Sequence, residues 1–90
     1  MAQYLIAYDL RRPEYEYGGL FDAIKAAGST YWHSMDSTWI VVSSQSALQI
    51  TKALWAHMKK SDKLLVIEVT DKAAWAGLNE KSSEWLKNNL

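Results

Sequence analysis

Asp9 is the side chain whose neighbours most clearly set it up for chemistry. It follows Tyr4-Leu5-Ile6-Ala7-Tyr8, a β-prone and nearly all-apolar run, so that a strand would end on a carboxylate. Such a carboxylate can hold Mg2+ or Mn2+, or orient a water, provided that a second ligand arrives from elsewhere. It can equally cap the following loop by accepting backbone N–H groups. Arg11 and Arg12 come next; from a loop they could grip a phosphate or carboxylate bidentately, or pair with Glu14 and Glu16. His33 directly precedes Ser34, and its imidazole could act as acid or base near neutral pH. A strand histidine beside a tryptophan, here Trp32, is also commonly half-buried and hydrogen-bonded. His57 falls on an apolar helical stripe and reads as helix packing, and neither histidine has a partner at metal-ligand spacing. No Gly-x-Ser-x-Gly elbow marks Ser34, Ser37 or Ser43 as a nucleophile.

Composition narrows the classes of function. Ten Lys plus Arg balance ten Asp plus Glu, so the molecule has no net field to draw in a phosphate backbone. With no Cys, disulfides, thiolate zinc sites and cysteine nucleophiles are excluded together. No apolar stretch nears the ~20 residues that span a bilayer, and Met1-Ala2-Gln3-Tyr4 puts no basic region ahead of an apolar run. The expectation is a cytoplasmic protein with no membrane partner. A chain of 90 residues forms one domain. Folding at this size buries only about 60–65% of the unfolded surface. Five Trp and five Tyr exceed what one small core needs, which points some aromatics toward an interface.

The elements that position these residues can be read in order. Gln3 to Asp9 is a strand, central or covered on both faces, and Pro13 breaks the pattern after it. Tyr17, Leu20, Phe21, Ile24 and Ala27 recur at helical spacing, with Gly28 where a left-handed cap is wanted. Ser29 to Ser34 and Thr38 to Ser43 form a hairpin around Met35-Asp36-Ser37. Ser46 and Gln49 make a capping box for a helix carrying Ile50, Ala53, Leu54, His57 and Met58. Lys63 to Thr70 is the fourth strand. In the tail, Ala73 to Leu78 suits a short extra strand, and Asn79 caps a helix with Trp85 and Leu86.

This βαββαβ order predicts an α+β, ferredoxin-like domain: a four-stranded antiparallel sheet in the order 4-1-3-2 with two helices on one face. The core spans residues 1–72, and residues 73–90 form an appendage that packs on the core or on a second copy. The connectivity also predicts that Asp9, the turn from His33 to Ser37, and Asp62-Lys63 share one edge, with Arg11 and Arg12 over it. Tyr4, Tyr8, Tyr31, Trp32 and Trp39 could form a stacking platform for a nucleotide or oligonucleotide, or an aromatic face for a dimer partner.

Three segments carry a family resemblance: Tyr4-Leu5-Ile6-Ala7-Tyr8-Asp9-Leu10, the hairpin from Tyr31 to Val41, and Lys63-Leu64-Leu65-Val66-Ile67-Glu68-Val69. They resemble the SinR family of small bacterial proteins. That family is similar to the second CRISPR-associated protein, the dimeric subunit of the spacer-integration complex, and distantly to virulence-associated protein D. The resemblance implies a ferredoxin-like homodimer in which Asp9 faces its twin, the two sharing Mg2+ or Mn2+ for endonucleolytic cleavage of RNA or DNA. It also implies a noncatalytic variant, because the CRISPR-associated subunit acts chiefly as a scaffold. The resemblance assigns only Asp9; it is the topology that makes Tyr8, Arg11, Arg12, His33 and Ser34 the substrate-binding candidates around that edge.

Overall fold

In the computed structural model, which describes residues 1–90, the chain forms β1 (Ala2–Asp9), α1 (Gly18–Ala27), β2 (Thr30–Met35), β3 (Thr38–Ser43), α2 (Ala47–Trp55), β4 (Lys63–Val69) and α3 (Glu80–Asn89). A short 3-10 turn over Glu14–Tyr17 leads into α1. The four strands make one sheet in the order β2-β3-β1-β4 with every neighbouring pair antiparallel, so the class is α+β.

Period-two alternation divides β1 between the two faces of the sheet. Tyr4, Ile6 and Tyr8 join Trp39 and Val41 of β3 beneath Leu20 and Ile24 of α1 and Ile50 and Leu54 of α2. Fully burying each such aliphatic side chain contributes about 1.5–3 kcal/mol, which makes this layer the main source of stability. The predicted capping box opens α2: Ser46 Oγ accepts from the Gln49 amide at 3.1 Å, and Gln49 Oε1 accepts from the Ser46 amide at 2.8 Å. The helix ends at Trp55 and tightens into turns through Met58. His57, expected on the buried stripe, is exposed beside Gly19 of α1, where a Cβ would come 2.8 Å from its Nδ1.

Two further local expectations are corrected. Gly28 is extended, at φ −129°, rather than left-handed. Glycine is needed there for closeness: a Cβ would lie 2.6 Å from the Val42 carbonyl oxygen and 3.1 Å from the Val41 side chain. Gly28→Ala should therefore cost about 1–3 kcal/mol through overpacking, read as a lower denaturation midpoint; an unchanged midpoint would show that β3 yields freely. The second correction is the tail. Ala73 to Leu78 forms no strand. Ala73 to Ala76 share an apolar cleft with Leu5, Trp32 and Ile40, so the segment crosses the open face of the sheet instead of running along an edge where a ladder partner is offered. Gly77, at φ +78°, turns the chain into α3.

The helix α3, capped by Asn79 Oδ1 on the Ser82 amide at 2.8 Å, packs on the sheet face opposite α1 and α2. Leu86 buries Trp32 and Ile40 there, with Leu78, Trp85 and Leu90 around them. Trp85 Nε1 donates to Thr30 Oγ1 at 2.9 Å. The helix thus shields the β2–β3 half of that face and leaves the β1–β4 half open. On the open half, register pairs Leu5 with Ile67, Ala7 with Leu65 and Asp9 with Lys63; Leu65 and Ile67 are about half exposed.

Candidate functional site at the Asp9 edge

The topology does assemble the predicted edge. The Tyr8 amide donates to the Ser37 carbonyl at 3.2 Å, which ties the hairpin turn to the end of β1, and Asp9 stands opposite Lys63. The link before β4 is fastened by Asp62. Its carboxylate accepts from the Arg11 amide at 2.8 Å, the Lys59 amide at 2.7 Å, and the Tyr17 hydroxyl at 2.9 Å. Burial alone would raise the Asp62 pKa, but these donors outweigh it and hold the carboxyl below its ordinary value of 3.8. For Tyr17, burial and the adjacent carboxylate together push the phenol above its ordinary value of 10.0. Asp62 is therefore the peg that fixes where the Arg11-Arg12 loop leaves the sheet.

Only some of the predicted site residues meet. The Asp9 carboxylate is exposed and lies 3.9 Å from the Arg11 guanidinium, whose Nε also donates to the Ser61 carbonyl at 3.4 Å. Arg12 turns away to Glu16 at 3.9 Å. Tyr8 is buried on the helix-covered face, where its hydroxyl accepts from Trp39 Nε1 at 3.0 Å and donates to the Asp36 carbonyl at 3.3 Å. Burial raises its pKa, the Trp39 hydrogen bond opposes that, and the charges of Glu14 and Asp36 add to it. Ser34 is engaged with Ser82 of α3. Comparisons with protein families, curated proteins and solved structures found no match.

His33 occupies a position that sequence reasoning could not assign. Register changes between Trp32↔Ile40 and Met35↔Thr38, so His33 and Ser34 together oppose Trp39. This is a β-bulge, a device that re-aims side chains. It lays the imidazole flat on the Trp39 ring, with centroids 3.8 Å apart and planes 7° apart. Nδ1 lies 3.0 Å from the Thr38 carbonyl. Because a carbonyl only accepts, Nδ1 is the donor in this contact.

The expected stacking platform is not a shared surface. Tyr4, Tyr8 and Trp39 are buried under α1 and α2, and Trp32 is buried under α3, which leaves Tyr31 as the exposed member. No group of three His, Cys, Asp or Glu side chains comes together in the chain, and Asp9 is a single carboxylate neighboured by cations. A Mg2+ or Mn2+ there would take its remaining ligands from water, phosphate or another molecule. No helix is long and apolar enough to cross a membrane.

Proposed function

We propose that the chain is a ferredoxin-like homodimeric subunit of the CRISPR-associated, SinR-family type that handles RNA or DNA at the Asp9 edge. The observation that carries this reading is the open half of the sheet. Two apolar side chains of β4, Leu65 and Ile67, each about half exposed, lead directly to the exposed pair Asp9 and Lys63. A second copy seated there about a two-fold axis passing beside Asp9 would remove apolar surface from water and set its own Asp9 carboxylate toward the first. Two carboxylates together supply what a single chain lacks for a shared Mg2+ or Mn2+, which when bound would polarise a phosphodiester. Arg11 and Lys63 then offer positive charge to the phosphate.

The dimer and the cleavage are tested separately. Sedimentation at micromolar concentration should give twice the chain mass, and Leu65→Lys with Ile67→Lys should return it to the monomer. Labelled RNA and DNA should be cut in the presence of Mn2+ or Mg2+, and both Asp9→Ala and Asp9→Asn should reduce cutting by at least about a hundredfold. Cutting that survives both substitutions removes Asp9 from the mechanism. A second reading, a noncatalytic relative that keeps the dimer, is favoured by the Arg11 guanidinium beside Asp9. A dimer that binds oligonucleotide without cutting it would select that reading.

A further inference from the structure

We infer that the cleft between α1 and the β2 bulge is a recognition pocket for one unstacked guanine base. It lies on the helix-covered side of the sheet, whereas Asp9 alternates to the opposite face. The cleft is about 230 Å³ and is lined by Glu14, Phe21, Lys25, His33 and Trp39.

Its floor is rigid. Trp39 is 3% exposed, its indole nitrogen is tied to the Tyr8 hydroxyl, and that hydroxyl is tied in turn to the Asp36 carbonyl. Phe21 packs beside the Trp39 ring, with centroids 6.3 Å apart. On this floor the bulge holds His33 flat, its Nδ1 donating to the Thr38 carbonyl, with Nε2 free of any protein partner and the ring exposed. An exposed imidazole backed by a buried indole presents a planar stacking surface with little ordering entropy left to lose.

The polar groups around that surface are complementary to guanine. Lys25, whose Nζ is 5.9 Å from the Tyr31 ring centroid, is a donor for the paired acceptors O6 and N7. Glu14 is an acceptor for the adjacent N1–H and N2–H donors, a pair that adenine, cytosine and uracil lack. Hydrogen bonding to base edges combined with stacking on His or aromatic rings is how proteins read unpaired bases. An anion alone is disfavoured by Glu14, and a cation alone by Lys25.

The inference takes its ligand class from the nucleic-acid reading above, but its test leaves Asp9 and cleavage aside. Guanosine monophosphate titrated into the protein should shift the Trp39 indole N–H and the His33 ring resonances in NMR spectra. Adenosine, cytidine and uridine monophosphates should bind at least about tenfold more weakly. Inosine monophosphate, which lacks the N2 amino group, should fall between. Glu14→Gln, on an exposed turn, should erase the preference for guanine, and His33→Ala should weaken all four natural mononucleotides. Equal binding of the four, shifts confined to other residues, or no shift at millimolar guanosine monophosphate would each overturn the proposal, whether or not the protein cuts RNA or DNA.

Discussion

Asp62→Ala should be the most damaging single substitution at the site, lowering stability by about 3 kcal/mol or more. Three donors now converge on that carboxylate, two of them backbone amides, and truncation strands them at a position only 5% exposed. For a domain of this size the loss corresponds to a fall in Tm of about 12 °C or more. Asp62→Asn should be nearly as harmful, because one carboxylate oxygen becomes an NH2 that faces a donor. Tyr17→Phe should be milder, since both amides keep their acceptor.

The same group sets an acid limit on the fold. Its folded pKa lies below the unfolded value of 3.8, so the stability it contributes is complete above that value and is lost as pH falls through the folded pKa. Denaturation midpoints measured from pH 7 downward should therefore decline below about pH 4 in the parent and stay flatter in Asp62→Asn. Parallel curves for the two proteins would assign the acid sensitivity to other carboxylates. At the alkaline end Tyr17 works oppositely: its raised pKa means that its contribution is present below 10.0 and lost as pH rises toward the folded value.

Leu86→Asp should release α3 from the sheet. Leu86 is 4% exposed, and it is the one buried side chain that the helix sets against Trp32 and Ile40. Leu86→Ala should cost about 2–4 kcal/mol, and the charged substitution should go further by placing a carboxylate in that apolar contact. Trp32 has an additional weakness, since its buried Nε1–H has no hydrogen-bond partner and α3 therefore docks at some cost in desolvation. Release should red-shift Trp fluorescence and open residues 73–79 to protease while α1, α2 and the four strands stay protected. A Leu86→Asp protein with parental fluorescence and protease resistance would show that other contacts hold the helix.

The order of strands and helices was legible because its signals are local. Alternation in β1 and β3, the Ser46/Gln49 capping box and the Asn79 cap each lie within a few residues of the element they define. The edge around Asp9 was legible one step later, from connectivity. What escaped depends on pairings between distant segments. Connectivity puts Asp62 on the Asp9 edge but does not reveal what it binds, because Tyr17 and the Arg11 amide that meet its carboxylate lie far away in the chain. The bulge at His33 is a single surplus residue relative to β3, and no property of β2 alone announces it. The aromatic residues were identified as strand residues, but their sorting by face follows from register: Tyr8 and Trp39 fall beneath one pair of helices and Trp32 beneath the other layer. The extra strand expected at Ala73 failed for a related reason, because the chain crosses a face and meets no free edge.

Because β1 lies between β3 and β4, the first strand to leave the ribosome is flanked by two that are made later. Its inner ladder waits for residue 43 and its outer one for residue 69, while the β2–β3 hairpin and the platform it offers to the last helix are built from neighbours in the chain. During synthesis the apolar run from Tyr4 to Tyr8 is thus the strand left longest without a mate, which exposes it to mispairing until β3 has been made.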